Sequence, residues 1–352
     1  MPKSSPAITR MPRAQASPAG SGLPLSSTTT QRATRWPLSP AVLTTALALL
    51  SVLAIVLFMT LDLKGNIGYI LPRRAVKVGA MVLAAVAVGV STLLFQTVTN
   101  NKILTPSIMG FDALYGLLQT SLVFTLGGSA WVAAPEAFKF VIELGLMIVF
   151  ASVLYRWLFT GGNKSLHLTL LIGIVFGTFF RGISALLQRL MDPSEYIILQ
   201  DLFFASFNQV DPTVLGIATL IVGTVCFFAW RMRSTLDVMA LGRDVSINLG
   251  VAHKSVVSRV LILCTALVAT STALVGPVTF FGLLVVSIGY LICRSYQHAW
   301  LLPIVCLLGV ISLVAGQLIL ENVFGFASAL SLVIEFVGGI LFIALLLKGS
   351  LK

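Results

Sequence analysis

Apolar residues run through this chain in long unbroken blocks, and polar residues are gathered in the gaps between them. The blocks fall at 38–61, 76–95, 105–124, 137–158, 166–187, 212–230, 256–274, 277–293, 300–319 and 329–347. Each is close to the roughly 20 residues that a helix needs to cross a bilayer. Runs such as LILCTALVATSTALV, 261–275, show no strict apolar/polar alternation, which an outer-membrane β-barrel would require. The pattern therefore predicts an all-α polytopic membrane protein with about ten transmembrane helices. Trp300, at the edge of the ninth block, suits the headgroup level.

Composition sharpens this reading. Of 352 residues, 57% are hydrophobic and only 10% are charged, against about a quarter charged in an ordinary soluble domain. A cytosolic enzyme and a disordered chain are both excluded. Net charge is +11, from 23 Lys+Arg against 12 Asp+Glu. It is spread over a tail and short loops, with no clustered basic face for nucleic acid. Residues 1–36 are rich in Ser, Thr, Pro and Ala, with five basic residues and no acid, and read as a disordered basic tail. Residues 37–352 form the membrane domain.

Charge also predicts orientation. With the N-terminus cytoplasmic, inner segments hold Lys102, Arg156, Lys164, Arg231, Arg233, Arg243, Lys254, Arg259, Arg294, Lys348 and Lys352. Outer segments hold Asp62, Glu136, Asp192, Glu195, Asp201, Asp211 and Glu321. This satisfies the positive-inside rule and places both termini inside. Lys64, Arg73, Arg74 and Lys77 dissent, at the first outer loop.

Chemistry-bearing residues are sparse. Gly161-Gly162-Asn163-Lys164-Ser165 lacks the upstream glycine and the preceding strand of a phosphate-binding loop. The four cysteines fall in apolar stretches at no metal-ligand spacing and read as buried thiols. His167, His253 and His298 read as solvated loop residues, so no metal or cofactor is expected. Charges within spans are costly and mark function. Glu143, Arg181 and Glu335 all lie roughly 9–14 Å from the outer ends of their spans, at about 1.5 Å per residue, which permits them to pair or to line a path. Asp112 follows Pro106 and Gly110, which suggests a cap on a broken helix.

The longest inner segment, 231–259, carries Leu236, Met239 and Ala240 at helical spacing, then Gly242 and Gly250 with Leu249 and Val251 beside the second glycine. A short amphipathic helix bounded by glycines suits a partner's groove or the lipid headgroups. Gly173 and Gly177 form a GxxxG face for close helix packing.

Several motifs in order resemble the permeases of iron–siderophore and cobalamin ABC importers, the FecCD type. These are Leu71-Pro72-Arg73-Arg74, Thr105 through Asp112, Ala240-Leu241-Gly242, Leu249-Gly250-Val251 and the run Gly276 through Val285. Gly177-Thr178-Phe179-Phe180, Asp192-Pro193 and Phe204 through Asn208 resemble the branch that takes catecholate and petrobactin-like ferric siderophores. Val286-Ser287 and Tyr290 depart from the wider family's pattern in the same direction, away from cobalamin. The resemblance runs from about residue 61 to the end. It implies the type II importer permease fold, a second permease subunit, an ABC ATPase dimer and an extracytoplasmic binding protein. Leu236, Met239, Ala240, Leu241, Gly242, Leu249, Gly250 and Val251 would form the coupling helix. Arg73 and Arg74 would meet acids of the binding protein or anchor at the interface. Arg181, Glu143 and Glu335 would line the path, and ATP would be bound by the partner. The competing classes are an ion-coupled secondary transporter, which would need midplane ionisable residues and often repeated halves, and a polytopic membrane enzyme. A permease for cobalamin or haem is the nearer alternative.

Overall fold

A computed structural model describes residues 39–61, 66–160, 166–208, 210–293, 295–323 and 330–348. The tail expected at 1–36 and the run Gly161 to Ser165 lie outside the described residues. The fold is that of the unit Leu38–Lys352. All regular structure among the described residues is helical: α1 (Pro40–Thr60), α2 (Ile67–Thr99), a 3₁₀ turn (Pro106–Met109), α3 (Phe111–Leu126), α4 (Gly128–Ala133), α5 (Glu136–Thr160), α6 (Leu166–Leu190), α7 (Pro193–Phe203), α8 (Pro212–Arg231), α9 (Arg233–Met239), α10 (Arg243–Asn248), α11 (His253–Val275), α12 (Phe281–Ile292), α13 (His298–Val323) and α14 (Leu330–Lys348).

Each of the ten apolar blocks carries a helix. Six helices among the described residues are long and apolar enough to cross a membrane, in α1, α2, α6, α8, α11 and α13; α3 and α12 are apolar but shorter. Three expectations need correction. The second block extends to Ile67, so Leu71 to Arg74 lie on α2 and not in a loop before it. The third is broken at Gly110 as expected, at a φ of +90°, but Gly110 itself is the cap residue and Asp112 lies inside the first turn of α3. The inner segment holds two short helices, α9 and α10, where one was expected.

Local chemistry sets the helix ends. Ser39 accepts from the Val42 N–H at 3.4 Å, with Pro40 opening α1. Asp211 accepts from the N–H groups of Thr213 (2.7 Å) and Val214 (3.3 Å) ahead of Pro212. Those donors hold its carboxyl below the usual carboxylate range.

Helix α2 is the centre, packing on α11, α13, α12 and α8. In their most apolar stretches, α2 and α11 are 72% and 67% buried within the chain, against 17% for α1 and 22% for α6. The first pair is core, and the second offers its sides to lipid or to another chain. In lipid, helices associate through close packing of small residues, and α2 is built for this. Its Ala80, Ala84, Ala85 and Ala87 are buried. A Cβ on Gly282 of α12 would overlap the Thr92 hydroxyl of α2. Helices α3 and α6 form a second packed pair. Gly110 sits against the α6 backbone there: a Cβ on it would lie 2.9 Å from the Gly177 Cα and 3.1 Å from the Gly173 carbonyl oxygen. The GxxxG face is thus used against the start of α3.

Candidate functional site

Three regions hold the residues singled out in the sequence. The first lies at the end of the bundle where α1 begins. Helix α9 leaves α8 through Met232 and ends at Met239, and the chain then turns at Gly242, whose φ of +99° and ψ of 166° are open only to glycine. Helix α10 follows and closes in a Schellman motif. Gly250, at φ +84°, donates to the Ile247 carbonyl at 2.9 Å, and Val251 donates to the Ser246 carbonyl at 3.0 Å. The two glycines therefore act as joints at either end of α10.

The faces are divided differently from the sequence expectation. Leu236 and Met239 are fully buried in the chain's own core, on the side of α9 that meets α2 and α13. They anchor the segment and are not available to a partner. Val251 is half-buried against the same core. Ala240, Leu241, Leu249 and Gly250 are exposed. Val245 and Ile247, which the spacing argument missed, are exposed with them, so Leu241 (59%), Val245 (45%), Ile247 (48%) and Leu249 (61%) present apolar surface on and beside α10. The miss has a simple cause. Helical periodicity marks an apolar face without saying whether the chain's own core or another surface covers it.

Beside this segment, His298 is not a solvated loop residue. It is 3% exposed, at the start of α13. Asp237 of α9 accepts from both its backbone N–H and its Nδ1, each at 2.7 Å, and its Nε2 lies 2.8 Å from the Thr97 hydroxyl of α2.

The second region lies between α3 and α6. Arg181 lines a cavity of about 360 Å³ with Asp112, Tyr115, Ser184, Gln188 and Pro277. Arg181, Ser184 and Gln188 recur at i, i+3 and i+7, one face of α6. Gln188 donates to the Thr120 hydroxyl at 3.4 Å. Thr279 donates to the Asp112 carboxylate at 2.8 Å across the fold. Asp112 lies within electrostatic range of both Arg181 and Glu335. The structure thus brings Arg181 and Asp112 to one cavity, with Glu335 outside its lining.

Glu143 does not join them. Its carboxylate is buried and accepts from the Gln119 amide at 2.6 Å, and Gln119 in turn accepts from the Trp131 indole N–H at 3.1 Å. Similar depth in the bundle did not bring Glu143 to Arg181. Instead Glu143 lines a separate cavity of about 210 Å³, near Glu136, Lys139, Asp201 and Asp211.

The third region is the opposite end of the bundle. Arg73 stacks over Tyr69, 4.7 Å from the ring centroid. Arg74 Nη1 donates to the carbonyls of Phe58 (2.9 Å) and Leu61 (2.6 Å), at the end of α1, where carbonyls lack partners within the helix. Lys77 pairs with Glu321, which also accepts from Gln317 at 2.7 Å. Among the described residues that dissent from the charge rule, Arg74 and Lys77 are therefore held by polar partners within the chain, and Arg73 by an aromatic ring. Arg74→Ala should lower the stability of the membrane domain by about 1–3 kcal/mol, because it orphans those carbonyls. Thermal melting in detergent measures this. Unchanged melting with weakened capture of a binding protein would return Arg74 to a docking role.

Comparison with known proteins gives a consistent result. The model of the FecCD transport family matches residues 65–348. The chain is 46% identical over 299 residues to the petrobactin import system permease protein YclO of Bacillus subtilis, covering 85% of this chain and 95% of that one. It is 36% identical over 279 residues to the petrobactin import system permease protein FatC of Bacillus anthracis, covering 79% of each. Among solved structures, a metal-chelate type ABC transporter in an inward-facing conformation superposes with a TM-score of 0.77. That match has 18% identity and covers 88% of this chain and all of that one, a likeness of fold.

Proposed function

The chain belongs to the FecCD transport family, and from that premise we propose that it is a permease subunit of a binding-protein-dependent ABC importer that carries ferric siderophore across the bacterial cytoplasmic membrane. The observation that carries the mechanism is the exposed apolar cluster on α10, held between two positive-φ glycines. Water-exposed Leu241, Val245, Ile247 and Leu249 on a basic membrane protein are a seat for another protein's groove. The partner is an ABC ATPase dimer, and this chain supplies no nucleotide site of its own. Closure of the ATPases moves α10, and the membrane helices respond by opening the path to the other side.

The reading extends to orientation and number. All ten apolar helices cross the membrane, and both termini are cytoplasmic. Arg231, Arg233, Arg243, Lys254 and Arg259 cluster where α1 begins, while Glu136, Asp192, Glu195, Asp201, Asp211 and Glu321 belong to the opposite end. A second, homologous permease chain completes the path, and an extracytoplasmic binding protein delivers the chelate near Arg73. Residues 1–36 are a cytoplasmic tail to the permease domain.

Arg181 supports a path beside α6. It is exposed on this single chain, among exposed Phe179 and Leu186. An arginine that deep in lipid costs several kcal/mol. It therefore faces water or a second subunit, and its charge suits the anionic oxygen donors of a ferric siderophore. Arg181→Ala should lower uptake at sub-saturating substrate by about tenfold with the protein still in the membrane. Unchanged uptake with a lowered melting temperature would make Arg181 a structural charge.

The direct test is radio-iron uptake in iron-starved cells with and without this gene, across catecholate, carboxylate and hydroxamate siderophores and, in parallel, labelled cobalamin and haem. Loss confined to the petrobactin-like class, restored by the gene, is the expected result. Loss of cobalamin or haem uptake instead would overturn the substrate, and co-purification without an ATPase would overturn the mechanism.

A further inference from the structure

We propose that Asp237 and His298 form a clamp that transmits movement of the α9–α10 segment into the ends of α2 and α13, and that both are positioning residues for coupling. The inference rests on the reading of α10 as the seat of an ATPase. An apolar seat alone does not move a membrane helix, because α10 is joined to α9 through a glycine. Helix α9 must itself be held to the bundle for a push on α10 to reach the membrane helices. Leu236 and Met239 supply apolar anchorage there, and Asp237, between them in the sequence, supplies a directional one.

The geometry leaves this contact little freedom. One oxygen of Asp237 takes the backbone N–H and the Nδ1 of His298, both at 2.7 Å. A carboxylate only accepts, so Nδ1 is the donor. The carboxylate also sits at the positive end of the α13 macrodipole, where negative charge is favoured. The other ring nitrogen lies 2.8 Å from Thr97 Oγ1, near the end of α2, and that hydroxyl is also 2.9 Å from the Leu93 carbonyl oxygen. Three helices thus meet at one imidazole that is 3% exposed. Helix α12 lies beside them: Lys102, just past the end of α2, sits over the rings of Tyr290 of α12 and of Tyr296 at 5.4 and 5.6 Å. A buried imidazole is tolerated where its polar atoms are met, and here each nitrogen faces a partner on a different helix. Since α2 is the centre of the packing, a push on α9 reaches the core through this point.

The test uses the full import complex, purified through a tag on this chain and reconstituted in proteoliposomes with labelled ferric petrobactin as the probe. Iron uptake, ATP hydrolysis and complex melting are measured for wild type, Asp237→Asn, Asp237→Leu, His298→Ala and Thr97→Val. Asp237→Leu and His298→Ala should cut uptake about tenfold while ATP hydrolysis stays within about twofold, raising the ATP used per iron. Asp237→Asn keeps an acceptor oxygen and should fall between wild type and Asp237→Leu. Thr97→Val keeps the side-chain shape and should cost about threefold in uptake with unchanged melting. Uptake equal to wild type in all variants would overturn the clamp. So would a parallel loss of uptake, ATPase activity and assembled complex, including in Thr97→Val, which would make the contact a staple of the fold. If wild type hydrolyses ATP but imports no iron chelate, the substrate reading fails and the ATP-coupling comparison is repeated with the solute that is carried.

Discussion

Leu249→Asp should abolish iron uptake while leaving the amount of permease in the membrane unchanged. Leu249 is 61% exposed, at the end of α10 just before the Gly250 joint. Its side chain supports little of the chain's own core, so a charge there costs the fold little. In a partner's apolar groove the same charge must be desolvated without a counter-charge. Removing a central apolar anchor typically costs about 2 kcal/mol or more, roughly thirtyfold in affinity. Co-purification of the ATPase should fall with uptake. Leu236→Asp should behave differently, because Leu236 is fully buried: the protein should fail to accumulate. Normal uptake by Leu249→Asp would remove α10 as the ATPase seat.

Gly110→Ala should be among the most damaging single-methyl changes in the chain. Gly110 combines a φ of +90° with backbone neighbours that cannot swing aside, the Gly177 Cα and the Gly173 carbonyl. Positive-φ strain and overpacking each cost about 1–3 kcal/mol. Gly177→Ala meets the same contact from the other side, with the Gly110 Cα at 3.0 Å, but from a helical backbone, so only the packing cost applies. Gly223→Ala, with nothing within 4 Å of the new Cβ, is the neutral control. Melting temperatures should rank Gly223→Ala near wild type, then Gly177→Ala, then Gly110→Ala. Uptake should follow the same order, because the contact sets α3 beside α6 and so places Asp112 near Arg181. Equal melting for Gly110→Ala and Gly223→Ala would mean that the α3–α6 contact is not tight in the membrane.

The two results probe different kinds of legibility. Gly242 and Gly250 could be read as joints from the sequence, because a glycine beside an apolar helical stretch marks an end. Gly173 and Gly177 could be read as a packing face, although not what would pack on it. The partner is Gly110, which is far away in sequence and recognisable only as a helix breaker. The exposed cluster on α10 was half legible: Leu241 and Leu249 stood out beside the glycines, while Val245 and Ile247 did not. Leu236 and Met239 were assigned to the wrong neighbour.

Sequence alone determined the helical membrane class, the positions of the apolar helices and the family. The physical reason is locality. In lipid, each spanning segment must satisfy its own backbone hydrogen bonds, so length and apolarity in one window decide whether a helix forms there. Tertiary structure alone decided which charges meet. Asp237 reaches His298 across 61 residues and Asp112 reaches Thr279 across 167, whereas Glu143 turns away from Arg181 to Gln119. It also decided that Arg74 holds the end of α1 and that the apolar side of α9 faces inward. Those outcomes depend on how the helices are rotated and which of them are neighbours, and side-chain packing over the whole bundle sets both.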